Sequence, residues 1–396
     1  MANQAVQTPP IRASQSVSRA SPPEMHATLI NATLRQLEDL HEEWSLLAQQ
    51  LPQREPFYLP YWFQAFARTI ARDEAIPLVT VRDRGRLVGV LPLRRTGRFL
   101  RKIPARVLSS LSNVHSCRFD FVCDPNHAEE VAQAAWGVLK EDSQWTVIEV
   151  NAIPEGGSFE SIMRCAERDG YLVSRWPTLL SPYLKLPTSP SDPFSNCPQH
   201  YKKDRRRLEK RFERIQAFGE PVFEVHTRFS EALFNEFLEM ESSGWKGHAG
   251  GAIKCSPVLV DFYRELMSSA AREGHFRMSS LRVGAKTIAM ELGFVVDGHC
   301  VSPKTAYDEA FSSGSPGQQL ARLVIDDLVR QGISKYDLLG PRSRHKAIWA
   351  GDIRPHANCY IFRPSLTGKT YHYIIDKVGP RVKRAKYARY GDPQQL

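Results

Sequence analysis

The sequence predicts an α/β (α+β) protein of two tandem domains, each a mixed, mainly antiparallel sheet flanked by helices. Three observations lead there. The chain has 396 residues, more than one typical domain holds. Residues 187–199, PTSPSDPFSNCPQ, carry four prolines and few apolar groups, the composition of a linker. On both sides of that stretch the same order of helices, antiparallel meander, helix and strand recurs with unrelated residues.

The first 26 residues lack the apolar core of a secretory signal and read as a disordered tail. Helical spacing of Leu37, Leu40, Trp44 and Leu47 predicts a helix over 34–50. The aromatic run 57–70 reads as a helix after Pro60, its rings packed in the core. A hairpin follows, strands 78–83 and 86–93 around Arg84-Gly85. A strand over 119–123, a helix over 128–140, a strand over 145–151, a helix over 158–170 and a strand over 182–186 complete the first unit. Past the linker come helices over 201–218, 230–241 and 256–273, then strands 276–283 and 287–296. Asp297-Gly298 signals a type I′ turn into a strand at 299–302. A helix from Gly317 to Gly332, a strand at 335–339, a short helix at 343–349, a strand at 357–363 and a basic helix at 371–390 end the chain.

Composition narrows the function. Hydrophobic residues at 42% and charged residues at 24% are globular values, and no apolar run approaches the ~18 residues of a membrane span. Seven scattered cysteines without a C-x-x-C pair argue against a disulfide framework or a metal site, and for a reducing compartment. The net charge of +10 favours an anionic ligand or partner.

The stretch 299–332 concentrates the chemistry. A strand runs into a polar loop with Lys304, Tyr307, Asp308 and Glu309, and then into the helix at Gly317. The first-turn amides of Gln318, Gln319 and Leu320 are expected to bind an anion. A phosphate cradle beside acid/base groups suits a transferase that uses a phosphorylated carrier. Asp308 is the expected base and Tyr307 the expected acid. Glu291, inside the apolar strand IAMELGF, is the competing base, unless alternation turns it to solvent. Trp245 and Lys246 lie in a Gly-rich loop that either closes over substrate or is anchored by the Trp. The segment 201–214, YKKDRRRLEKRFER, reads as a solvated charged helix, with tRNA or phosphosugar binding as the alternative.

Three blocks carry a family resemblance. ESSGWKG at 241–247 with Ala252-Ile253 and Phe262-Tyr263 is one, and KTAYDE at 304–309 with Ser315-Pro316-Gly317 is the second. Asp337 with Lys346 and Trp349 is the third. Together they resemble the CelD-like branch of the GNAT acetyltransferase superfamily, whose double-domain layout is related to the FemAB-type aminoacyl transferases. The resemblance implies tandem GNAT-like domains: an N-terminal one over 27–186 without a donor site, and a C-terminal one over 200–396 with it. It implies a cytoplasmic bacterial enzyme that moves an acetyl or acyl group from acetyl-CoA or another acyl-CoA to an amine or hydroxyl of a small or saccharide acceptor. Lys304 joins the catalytic set, Ser315 and Gly317 the donor site, and Trp245, Lys246, Asp337, Lys346 and Trp349 the substrate site. Such proteins are associated with exopolysaccharide or cellulose production. The superfamily's Arg/Gln-x-x-Gly-x-Gly/Ala cradle is replaced here by Ser312, Ser315 and Gly317, and Pro316 lacks an N–H. That departure keeps two alternatives open: aminoacyl-tRNA-dependent transfer to a peptidoglycan precursor, and a non-catalytic binding module in polysaccharide assembly.

Overall fold

The computed structural model describes residues 24–100, 103–244, 247 and 250–378. Trp245, Lys246, most of the expected tail and the basic helix beyond 378 lie outside them. Among the described residues the strands are β1 (Met25–Ala32), β2 (Ile76–Asp83), β3 (Arg86–Leu100), β4 (Ile103–Ser110), β5 (Val122–Cys123), β6 (Val147–Pro154) and β7 (Leu172–Lys185). The second half adds β8 (Pro221–His226), β9 (Phe276–Val283), β10 (Lys286–Val296), β11 (His299–Tyr307), β12 (Lys335–Asp337) and β13 (Asp352–Phe362). The helices are α1 (Leu34–Asp39), α2 (His41–Ala48), α3 (Pro60–Thr69), α4 (Ala128–Glu141), α5 (Phe159–Arg168) and α6 (Lys202–Gln216). They continue with α7 (Glu231–Ser243), α8 (Pro257–Arg272), α9 (Pro316–Arg330), α10 (Arg344–Ala347) and α11 (Leu366–Tyr373).

The strands form one sheet in the order β1-β2-β3-β4-β6-β13-β7-β12-β11-β10-β9-β8, with β5 on the side of β3. Each half repeats one pattern. An antiparallel meander (β2-β3-β4 or β9-β10-β11) leads into a parallel partner, β6 or β12. The two last strands are exchanged. β7, from before the proline-rich connection, pairs with β12, whereas β13, from the end of the chain, lies between β6 and β7. The fold is thus the expected mixed α/β one, but its sheet runs unbroken across the connection at 187–199.

Local chemistry explains most elements. Asp297 and Gly298 both have positive φ (52° and 75°), the I′ geometry that matches strand twist. The predicted helix 34–50 is two helices, the first held by a capping box between Thr33 and Gln36. Met25 and His26, expected in the tail, open β1 and pair with Asp83 and Arg82. The expected strand 182–186 is only the end of the 14-residue β7. Pro177 hides the rest of it in sequence, and the pairing with β13 slips register where Pro177 lies. The expected basic helix starts earlier, as α11, and passes into a π-helical turn at Ile374–Val378.

The aromatic run 57–70 packs as expected. Phe57, Trp62, Phe63 and Phe66 are buried, and Trp62 stands edge-on to Phe262 of α8 and Phe294 of β10. One apolar cluster therefore spans both halves. A second lies between α9, α6 and the other face of β9–β11, and the candidate site opens on that side. No described helix is long and apolar enough to cross a membrane.

Candidate active site

β11 and β12 run parallel for three residue pairs, ending at Val301 and Asp337. Beyond them the strands separate, and a cavity of about 1220 Å³ opens between Ser302–Thr305, Leu338, the start of α9, one face of α6 and the residues around α10. Glu291, Lys304, Tyr307, Ser315, Gly317, Gln318, Lys346 and Trp349 all line it, so most of the residues singled out from sequence come together.

Glu291 is, with Asp204, one of two carboxylates among the lining residues. It lies on β10, a central strand rather than an edge, opposite Ser279 on β9 and Thr305 on β11. Only 4% of it is exposed. Tyr336 on β12 donates its hydroxyl to Glu291 Oε2 at 2.7 Å, and Ser302 adds a second hydrogen bond. Burial pushes the Glu291 carboxyl up to about 7, outweighing those hydrogen bonds and the Arg277 charge. A buried carboxyl that titrates near neutrality on a cavity wall is suited to accept a proton.

Asp308 is placed differently. It is not among the residues lining the cavity. Its side chain caps the 3-10 turn Glu309–Gly314 by accepting from the Ala310 N–H at 2.9 Å, and it pairs with Lys286. Burial raises its pKa, but the hydrogen bonds from Lys286 and Ala310 and the Lys286 charge hold it below the usual range. The Asp-based turn wins over the base role because a short acidic side chain before an open helix end finds an N–H two residues on.

The helix start also differs from expectation. The amides of Gln318 and Gln319 both donate to the Ser315 carbonyl, at 3.0 and 3.1 Å. Pro316 has no N–H. Gly317 is therefore the one position of 316–319 whose amide has no protein acceptor among the described residues. Ser315 makes this tight start by adopting φ 57°, a left-handed conformation uncommon outside glycine. Gly317 has no side chain for a separate reason: a Cβ there would meet Tyr307 Cδ1 at 3.3 Å. The bare Cα faces the Tyr307 ring. Leu320 is core, and the Gln319 side chain donates to the carbonyls of Leu208 and Gly314 from a fully buried position. Gln318 does belong to the site, its side-chain oxygen accepting from the Trp349 indole N–H at 2.9 Å.

Lys304 Nζ lies 3.4 Å from the buried Glu241 on α7 and 5.7 Å from the centre of the Tyr263 ring. Lys346 Nζ donates to the Leu339 carbonyl at 2.5 Å. Asp337, expected at the substrate, is instead buried away from the cavity. It accepts from Arg118 at 2.6 Å and from the Leu339 N–H at 3.0 Å. Arg118 itself is fully buried, donating also to Glu55 at 2.6 Å and to His356 Nε2 at 3.0 Å, while Arg354 pairs with Glu55. Burial lowers the His356 pKa to about 3, with the Arg118 and Arg354 charges adding to the effect, so the imidazole is neutral and accepts. Sequence reasoning missed this cluster because its members are up to 301 residues apart, between Glu55 and His356.

It also misread α6. The helix is not simply a solvated face. Asp204, Arg207, Leu208 and Arg211 form one wall of the cavity. Arg211 donates to Ser315 Oγ at 3.0 Å, Arg214 to the Ser313 carbonyl and Arg205 to the carbonyls of Pro198 and Ile348. The signal was available in Leu208 and Ile215, the two buried positions that fix which side of the helix faces inward.

Residues 202–347 match the acetyltransferase (GNAT) domain family. No curated protein matches the chain in sequence. Among solved structures, FemX is similar with a TM-score of 0.57 at 11% identity, over 88% of this chain and 99% of that one. The C-terminal domain of a protein described as a lysylphosphatidylglycerol synthetase from Agrobacterium fabrum gives 0.52 at 11% identity, over 85% and 95%. A conserved protein of unknown function from Bacteroides thetaiotaomicron gives 0.51 at 9% identity, over 85% and 100%. Most of the cavity lining thus falls within the stretch that matches the acetyltransferase (GNAT) domain family, set in a two-unit α/β fold.

Proposed function

We propose that the chain transfers an acyl group from acyl-CoA to an amine or hydroxyl of a small or saccharide acceptor, with Glu291 as the general base. The observation that carries this is Glu291 itself, a hydrogen-bonded carboxyl with its pKa raised to about 7 on the wall of a cavity otherwise rich in cations. An amine acceptor is protonated at neutral pH, its pKa near ~10, and must lose a proton before it attacks the thioester carbonyl. Glu291 takes that proton, and the free amine then attacks so that the carbon–nitrogen bond forms. The carbon–sulfur bond breaks, the nitrogen gives up its second proton, and the departing thiolate is protonated in exchange, by way of Tyr307 or solvent. Trp349 and Gln318 brace one side of the cavity, and Lys304 and Lys346 offer charge to an acidic acceptor.

The test is thiol release from acetyl-CoA by the purified protein with a panel of amines and amino sugars, alongside calorimetric titration with CoA. Acceptor-dependent release that Glu291→Gln removes supports the assignment. Absence of both CoA binding and thiol release overturns it. One observation favours a second reading, aminoacyl transfer from charged tRNA: the arginines of α6 continue from the cavity wall onto an exposed basic face that includes Lys202, Lys203, Arg206 and Lys210. Salt-sensitive binding of aminoacyl-tRNA in place of CoA binding would select it.

A further inference from the structure

The cavity has a charge imbalance with a specific location. Arg207, Arg211, Lys304, Arg344 and Lys346 line it against only Asp204 and Glu291. Three of the cations already have partners: Arg207 has Asp204 at 3.3 Å, Lys304 has Glu241 and Lys346 has the Leu339 carbonyl. Arg211 has no carboxylate partner among the described residues, and its one hydrogen bond goes to a neutral hydroxyl, Ser315 Oγ. Arg344 likewise has none, but it sits on the four-residue α10 with no tie to α9. The Ser315 bond holds the Arg211 guanidinium against the first turn of α9, where the helix dipole adds positive potential. That same turn has spent its amides on itself and keeps only Gly317's.

We propose that Arg211 is the phosphate clamp of the donor site: its guanidinium, together with the Gly317 N–H, holds the diphosphate of acyl-CoA, replacing a cradle of backbone amides. This rests on the acyl-CoA reading above and deepens it. The chemistry is direct. A diphosphate needs several donors in a partly dry site, and a guanidinium offers a planar fork that matches two phosphate oxygens. Donating one N–H to Ser315 leaves the other donors of the fork for the ligand.

The experiment is calorimetry on wild type, Arg211→Ala and Arg211→Lys with CoA, 3′-dephospho-CoA and pantetheine, and turnover of S-acetylpantetheine as a folding-independent control. The expected result is that Arg211→Ala binds CoA and dephospho-CoA roughly 10- to 100-fold more weakly, the effect of one lost charged hydrogen-bond pair. Pantetheine binding and S-acetylpantetheine turnover stay at the wild-type level, and Arg211→Lys recovers only part of the loss. Unchanged CoA affinity in Arg211→Ala overturns the clamp, as does an equal loss for pantetheine. A loss confined to CoA and absent for dephospho-CoA overturns the diphosphate assignment. Wild type that turns over acetyl-CoA yet binds CoA no tighter than pantetheine also overturns the clamp, leaving the acyltransferase reading intact. Wild type that neither binds CoA nor releases thiol overturns both.

Discussion

A carboxyl group in the middle of a sheet is tolerated only when other groups satisfy it, and Tyr336 and Ser302 do that for Glu291. Glu291→Gln keeps the shape and removes the base. We expect kcat to fall roughly 10²- to 10⁴-fold, and the rising limb of the kcat/KM pH profile near pH 7 to disappear. A rate within a few-fold of wild type would sink the base assignment. The same carboxyl affects stability. Its folded pKa of about 7 lies above its ordinary 4.5, so between those values the folded protein holds more protons than the unfolded chain. Stability therefore falls as pH rises from 4.5 to 7 and levels off above. The full effect is about 3 kcal/mol. Urea titrations at pH 5 and 8 should show that loss in wild type and not in Glu291→Gln. A lone acid among Ile, Ala, Met, Leu and Phe was visible in the sequence. Its partner on β12, 45 residues away, was not, because nothing local to either residue encodes the pairing.

At the level of elements, the loop-to-α9 transition shows what periodicity can and cannot reveal. The helix, the glycine at its start and the preceding strand were all legible, because each follows from spacing or turn chemistry. The use of the helix end was not. Whether an amide is open depends on the φ of Ser315 and on a 3-10 bond from Gln318, which residue types alone do not specify. Asp308 shows the same limit, since its carboxylate is a cap. Asp308→Ala should cost about 1 kcal/mol of stability while kcat stays within a few-fold, measured by denaturation and by steady-state turnover. A kcat loss as deep as that of Glu291→Gln would return the base role to Asp308. Gly317→Ala should push the Tyr307 ring aside, because the new methyl would meet it at 3.3 Å, and raise KM for the donor more than it lowers kcat.

On the scale of the whole molecule, the two-unit repeat was readable and the strand exchange was not. β13 is buried on both faces from Cys359 to Phe362, and the sequence 352–362 does not say between which strands it will pair. The halves are fastened by that exchange and by the Arg118 cluster, which joins Glu55, Asp337 and His356 with no access to water at its centre. Arg118→Ala leaves two buried carboxylates short of a cation, and we expect a loss of about 3–5 kcal/mol. Thermal unfolding should remain a single transition at lower temperature; two separated transitions in wild type would show that the halves are not coupled. The placement of β13 also bears on synthesis. A nascent chain emerges with β6 and β7 already made but the strand that fills the gap between them still inside the ribosome. Until β13 is released, two hydrogen-bonding edges, those of β6 and β7, stay open to neighbouring chains. Premature termination before β13 would thus yield an aggregation-prone product rather than a smaller folded one.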